Sequence, residues 1–461
     1  MTLTGEGAPA AALARRFPPR FTFGAATASY QIEGAVEADG RLPSIWDTFS
    51  HTPGRTRDGD TGDVACDHYG RWEADLDLMA DLGLRAYRFS VAWPRVQPLG
   101  RGPANAAGLD FYERLVDGLL ERGIEPWLTL YHWDLPEPLD RDGGWTEPDV
   151  VERMAEYASM VAGRLGDRVT HWITLNEPRT HALIGHGVGR HAPGRRGWRS
   201  ALRAAHHSHL AHAAATRAIR ANGAAPNVKV GVCHDVADVV AGGTGADDAD
   251  AAVRQDGAMR RWFLDPSFGR GYPADMVAWY ERHGFLDGLD LDAVVPAEPM
   301  DFLAVNYYRR ERVVSAPVRD EWGIGARVLD RVGEHTGNGW EVWPDGLRAV
   351  LNRIHHEYGP IEMAITENGA TFVDAVAPDG SVPDPERLSY LQRHVAAVAD
   401  ARDGGVPVIA YFAWSLFDNF EWGEGYAHRF GIVHVDFATQ RRTVKASGQW
   451  YAELLAASRA G

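Results

Sequence analysis

The sequence predicts an α/β fold, a single (β/α)8 TIM barrel with extended βα loops, and three observations predict it. Eight short apolar runs, rich in β-branched and aromatic residues, alternate with helix-patterned segments, the order of a parallel sheet covered by helices. No low-complexity linker interrupts this alternation from Phe21 onward, so residues 1–461 read as one domain. An open doubly wound sheet would carry a glycine-rich nucleotide loop near its start, and its absence favours closure into a barrel.

Taken in order, the predicted strands are 21–26, 84–91, 126–132, 170–176, 228–234, 302–308, 361–366 and 408–415. Helices are expected between and after them, at 69–81, 109–122, 148–165, 198–222, 259–263, 347–358, 384–402 and 447–458. Gly83, Gly123, Gly166 and Gly223 stand where several of these should stop, since glycine accepts the left-handed turn that ends a helix. The polar stretch that begins at Gly243 should lie on the surface. Residues 1–20 read as a loose leader: the Arg15-Arg16 pair follows the alanines and precedes prolines, unlike a signal peptide.

Composition excludes several classes of function. Forty-seven basic against 63 acidic residues leave a net charge of -16, which argues against nucleic acid or an anionic membrane as partner. Cys66 and Cys233 are the only cysteines, too few for a disulfide framework, so a reducing, cytoplasmic location is expected.

The fourth strand, in THWITLNEP, ends abruptly in Asn176, Glu177 and Pro178, because proline cannot continue a ladder. A lone Asn-Glu-Pro is more often a turn. A second tip of the same kind changes that reading: IEMAITENG ends in Glu367, Asn368 and Gly369. Carboxyl-terminal strand tips are where parallel barrels place their chemistry. Gln31, Arg88, His132, Trp133, Asn306, Tyr307 and Trp414 fall at other tips and should converge on the same mouth. Amides, an imidazole and carboxylates beside tryptophan faces suit a pyranose, whose hydroxyls need hydrogen bonds and whose C–H faces stack on rings. Two such glutamates suit glycoside hydrolysis, with retention of configuration where the carboxyl groups lie about 5 to 5.5 Å apart. His206, His207, His209 and His212 have helical spacing but no accompanying carboxylate motif, so packing is preferred to metal binding. Glu137 and Glu298, each before a proline, end no apolar strand and read as loop residues.

The segments TLNEP, TENG, YHWDLP, NYY and WSLFDNFEWGEGYAHRFGIVHVDF resemble glycoside hydrolase family 1, the beta-glucosidase family, and the likeness runs from FTFGAATASYQIEGA to the last helix. That resemblance implies hydrolysis of terminal β-glucosyl residues from cello-oligosaccharides or from aryl and alkyl β-glucosides, without cofactor or metal. It makes Glu177 the acid/base and Glu367 the nucleophile, with Arg88 and Tyr307 holding Glu367 ionised. Asn176 would bond the sugar 2-hydroxyl, while Gln31, His132, Trp414, Glu421 and Trp422 would bind the sugar; Trp340 and Trp343 are candidates for the aglycone side, with core packing the alternative for Trp343. Oligomeric state is left open, including a homo-oligomer.

Departures from the family pattern are small: Gly70 in DHYGRW and Pro138 in LPEPLDRDGGW, both away from the proposed carboxylates. Two alternatives stand beside the leading reading. A 6-phospho-β-glycosidase would carry a serine and a lysine in the loop that here holds Glu421 and Trp422, and a carboxylate there repels a phosphate dianion. A sugar-binding protein without catalysis would lack one of the two glutamates, and both are present. Transglycosylation to a sugar or alcohol uses the same residues as hydrolysis.

Overall fold

Each of the eight apolar runs becomes a strand, and within the barrel the strands are almost wholly buried because helices cover the outside and side chains fill the inside. The structure, a computed structural model, describes residues 9–222, 225, 227–295, 298–317 and 323–459. The strands are β1 (Thr22–Ala26), β2 (Ala86–Ser90), β3 (Glu125–Tyr131), β4 (His171–Asn176), β5 (Lys229–Ala241), β6 (Phe302–Ser315), β7 (Glu362–Asn368) and β8 (Val408–Trp414). Each pairs in parallel with its neighbours in sequence, and β1 pairs with β8, so the sheet closes and no barrel edge remains open.

Rings fill the floor of the barrel. Trp127 of β3 lies 5.0 Å from Phe412 of β8 and 5.5 Å from Phe302 of β6, centroid to centroid. None of these strands pairs with another of the three, so the rings meet across the interior. Glycine makes the room: a Cβ at Gly24 would stand 2.6 Å from the Phe412 ring, and one at Gly231 would stand 3.1 Å from the Phe302 ring.

The principal outer helices are His68–Asp81, Ala106–Glu121, Asp149–Leu165, Trp198–Ala221, Pro344–Tyr358, Pro385–Asp403 and Ala446–Arg459. Gly83 (φ 76°) and Gly123 (φ 69°) turn left-handed just past two of them. Gly166 instead stays right-handed at φ -67°, and Gly223 lies outside the described residues. The expected 259–263 helix is the middle of a longer run, Gly257–Arg261 followed by Trp262–Ser267.

Four expectations need correction. Within the 1–20 leader, Ala10–Ala14 is a helix with Leu13 and Ala14 buried, and Phe17 packs on Phe21 at 4.5 Å and Phe23 at 5.0 Å. One apolar face on a short alanine-leucine run is enough to dock it; residues 1–8 lie outside the described part. β5 and β6 run past their expected ends at 234 and 308 and pair with each other above the barrel, from Asp238 with Arg310 to Ala241 with Val313. A short strand, Ala326–Val328, adds to β6 in the antiparallel sense. The polar stretch after Gly243 is not wholly on the surface. Its helix Ala246–Asp256 buries Gln255 and Asp256, which find partners in Glu311 (2.8 Å) and Arg260 (2.7 Å). Glu137 begins a short helix, Glu137–Arg141, with Pro138 in its first turn, where no N–H is needed.

The histidines of the 198–221 helix are buried among protein partners. His206 meets the Tyr272 hydroxyl at 3.0 Å, His207 the Trp145 carbonyl at 2.8 Å and His212 the Thr174 hydroxyl at 2.7 Å. Burial pushes all four imidazoles below their usual range.

Candidate active site

Both glutamate-bearing strands carry a bulge just before their tips. Between the pairs Ile173–Gly231 and Asn176–Cys233, β4 has one residue more than β5, and between Val305–Ile365 and Asn306–Glu367, β7 has one more than β6. A bulge bends the strand and re-aims the residues beyond it. Glu177 then leaves the strand with φ 48°, and Trp133 and Trp422 at the same mouth have φ 78° and 51°. Three non-glycine residues in the left-handed region, each costing on the order of 1–3 kcal/mol, mark backbone held in place by its surroundings.

The two carboxyl groups belong to one hydrogen-bonded chain. Arg88 donates to Glu367 Oε1 at 2.6 Å and to Asn176 Oδ1 at 2.6 Å. Asn306 donates to the same Asn176 oxygen at 3.2 Å and to Glu177 Oε1 at 2.7 Å. The second oxygen of Glu367 accepts from the Tyr308 hydroxyl at 2.5 Å. Glu367 thus has a cation on one oxygen and a hydroxyl on the other, whereas Glu177 has a single neutral amide.

Tyr307 does not belong to this chain. Its hydroxyl donates to the Trp343 carbonyl at 2.7 Å, among the helices outside the barrel. Side chains alternate along a strand, so with Asn306 pointing inward Tyr307 points outward and Tyr308 inward again. The tyrosine on Glu367 is therefore Tyr308, a residue the reading of NYY missed although alternation from Asn306 selects it.

These groups open onto a cavity of about 900 Å³ whose walls include Glu177, Glu367, Glu421, His132, Trp133, Tyr308, Trp340, Trp414 and Trp422. The tips of β3, β6, β7 and β8 supply most of them, and the loop after β8 supplies Glu421 and Trp422. His132 is roughly parallel to Trp414 (6.0 Å) and to Trp422 (5.9 Å), and shares a 3.0 Å hydrogen bond with the Asn176 amide. Burial keeps its imidazole neutral, and the Arg88 charge acts in the same direction. Gln31 lies buried behind Glu421, donating to Asn419 at 3.0 Å, to the Phe420 carbonyl at 2.9 Å and to Glu421 Oε2 at 3.3 Å. Gln31 Oε1 and His132 Nδ1 are buried without a protein partner. Trp340 lines the cavity beside Tyr308, but Trp343 does not; the Arg310 guanidinium covers its ring at 3.6 Å, which is the packing role.

Three carboxyl groups share this enclosure. Burial pushes Glu367 up to about 7, opposed by Arg88, assisted by the charge of Glu177 and opposed again by the Tyr308 hydroxyl. Burial pushes Glu421 up to about 8, and the charge of Glu367 adds to it. Charging Glu367 makes charging Glu421 harder, and of the two Glu367 has the partners that favour its anion.

Beneath the loop after β8 lies a buried ion cluster that sequence reasoning did not find. Asp418 meets Lys445 at 2.6 Å and Arg429 at 2.8 Å, Arg387 meets Asp374 at 2.9 Å and Asp384 at 2.6 Å, and Lys445 also pairs with Asp374. Asp418 stands three residues before Glu421, so the cluster fixes the loop that carries it. No local motif announces it, because its members come from distant stretches of chain.

Among the described residues no helix is long and apolar enough to cross a membrane. The family model of Glycosyl hydrolase family 1 matches residues 13–460. Beta-glucosidase A of Thermotoga maritima is 44% identical over 443 residues, covering 96% of this chain and 98% of that protein. A bifunctional beta-D-glucosidase/beta-D-fucosidase of Bifidobacterium breve is 45% identical, covering 95% and 98%. The solved beta-glucosidase from Thermotoga maritima in complex with glucoimidazole superposes with a TM-score of 0.90 at 43% identity, covering 96% of this chain and 99% of that one. The fold, the paired strand-tip glutamates and near-complete coverage agree, and the chain belongs to glycosyl hydrolase family 1.

Proposed function

We propose that this glycoside hydrolase is a retaining β-glucosidase in which Glu367 attacks the anomeric carbon while Glu177 protonates the departing oxygen. One observation carries the division of roles: within a single hydrogen-bonded chain, Glu367 has Arg88 and Tyr308 on its two oxygens, and Glu177 has only Asn306. A charge-assisted pair and a hydroxyl donor favour the anion a nucleophile needs. A carboxyl group with one neutral partner beside a second negative charge suits the acid. Once Glu367 is glycosylated its charge is gone, and Glu177, now ionised, takes a proton from water as the covalent bond is broken.

The sugar would lie over Trp414, with Gln31, His132, Asn176, Glu421 and Trp422 around its hydroxyls. Gln31 Oε1 and His132 Nδ1 support this placement, since a buried polar atom without a partner is satisfied when a ligand supplies one. Cello-oligosaccharides and aryl or alkyl β-glucosides are the proposed substrates, Trp340 standing on the aglycone side. Two buried free cysteines support a reducing, cytoplasmic location. A 6-phosphoglycoside is disfavoured because Glu421 would face the phosphate.

Proton NMR during hydrolysis of 4-nitrophenyl β-glucoside tests the reading: the β-anomer of glucose should appear first and mutarotate later. First appearance of the α-anomer would mean inversion and would remove Glu367 as nucleophile. Rates with the 6-phosphate of the same substrate should be lower by orders of magnitude, and a preference for it would reassign Glu421.

A further inference from the structure

We infer that the outer part of the cavity is a subsite for an aglycone carrying a carboxylate, an inference that rests on the β-glucosidase reading and specifies its substrate class. The chain has a net charge of -16, yet the cavity mouth is lined by arginines from several separate segments. Arg55 and Arg196 stand on one wall, where both touch Gly189: Arg55 donates to its carbonyl at 3.3 Å, and a Cβ on that glycine would lie 2.9 Å from Arg196 Cγ. Arg327 and Arg331 come from the segment around the short strand that the β6 extension pairs. Arg331 lies beside Gly339, next to Trp340.

Among the described residues, none of Arg55, Arg196, Arg327 and Arg331 is within ion-pair distance of a carboxylate, although most arginines of this chain are. Of the described acidic residues that line the cavity away from its floor, Asp235, Glu311, Glu341 and Glu424 are already engaged by Arg179, Arg309, Arg310 and Arg57, which leaves Asp330 alone against the four arginines. The three carboxyl groups at the floor bind and cleave the sugar end. A negative group on the far end of the substrate would therefore meet cations at the mouth, where low-dielectric walls focus their field. Guanidinium forks also match a carboxylate in shape.

The test compares kcat/KM for 4-carboxyphenyl β-glucoside with that for 4-carbamoylphenyl β-glucoside, and for glucosyl-β-1,4-glucuronate with that for cellobiose. The wild type should favour the charged member of at least one pair. In the R196Q/R331Q variant that ratio should fall about five- to tenfold, chiefly through KM, and taking the ionic strength of the wild type from about 0.02 to 0.5 M should lower it in the same direction. A gain in the aryl pair alone or the sugar pair alone assigns the frame of the aglycone and supports the inference. A wild-type preference for the neutral member of both pairs, or a ratio indifferent to both the variant and salt, overturns it. Loss of the β-glucosidase reading would look different, since no member of either pair would then be hydrolysed.

Discussion

Tyr308 and Arg88 each place a donor on one oxygen of Glu367, and both donors favour its anion. Removing the tyrosine hydroxyl should therefore raise the Glu367 pKa above the value near 7 that burial already imposes. We expect Tyr308→Phe to lower kcat/KM roughly ten- to a hundredfold, the range of about 1.5–3 kcal/mol for a hydrogen bond to a charged group. The acid limb of its pH profile should move upward. Tyr307→Phe loses a bond to the Trp343 carbonyl outside the barrel and should leave that limb in place. A shift in the second variant and none in the first would return the role to Tyr307. Much of the site is legible at this scale: Glu177 and Glu367 announce themselves as polar tips on apolar runs, and Trp340, Trp414 and Glu421 line the cavity as expected. The choice between adjacent tyrosines needed the strand's facing, which a contiguous motif hides.

The loop after β8 is where local sequence and distant contacts meet. Glu421 sits in that loop with its pKa pushed up to about 8, so the folded protein holds its proton more tightly than the unfolded chain does. The stability this contributes is present below the ordinary carboxyl range and is lost as pH rises through about 8. Glu421→Gln should consequently raise Tm at pH ~9 by about one to three degrees more than it does at pH ~6, measured by differential scanning. An equal change at both values would contradict the raised pKa. Below the loop, Lys445→Met leaves Asp374 and Asp418 buried without their shared cation. Breaking a buried pair on one side costs about 3–5 kcal/mol, so urea unfolding should show a loss of that order. The bulges on β4 and β7 and the upper parts of β5 and β6 were not legible. A bulge is a relation between two strands, and the β5–β6 ribbon is held by pairing between segments far apart in sequence.

For the molecule as a whole, the eightfold alternation was enough to specify a closed barrel, because apolar runs covered on both faces have few other solutions. The docking of residues 10–17 was hidden, since five alanine-rich residues carry too little pattern to separate a helix from a tail. The barrel's contribution to function is to bring Arg88 of β2, Asn176 of β4, Asn306 of β6 and Glu367 of β7 to one point without a shared stretch of sequence. The central claim is that Glu367 becomes covalently glycosylated during turnover. Incubation with an activated 2-deoxy-2-fluoro-β-glucoside, whose intermediate breaks down slowly, followed by proteolysis and tandem mass spectrometry, tests it most directly. The account predicts one added fluoroglucosyl group on the peptide containing IEMAITENG, located at Glu367 and released when a sugar acceptor is added; a label on Glu177 or Glu421, or turnover with no covalent adduct, would contradict it.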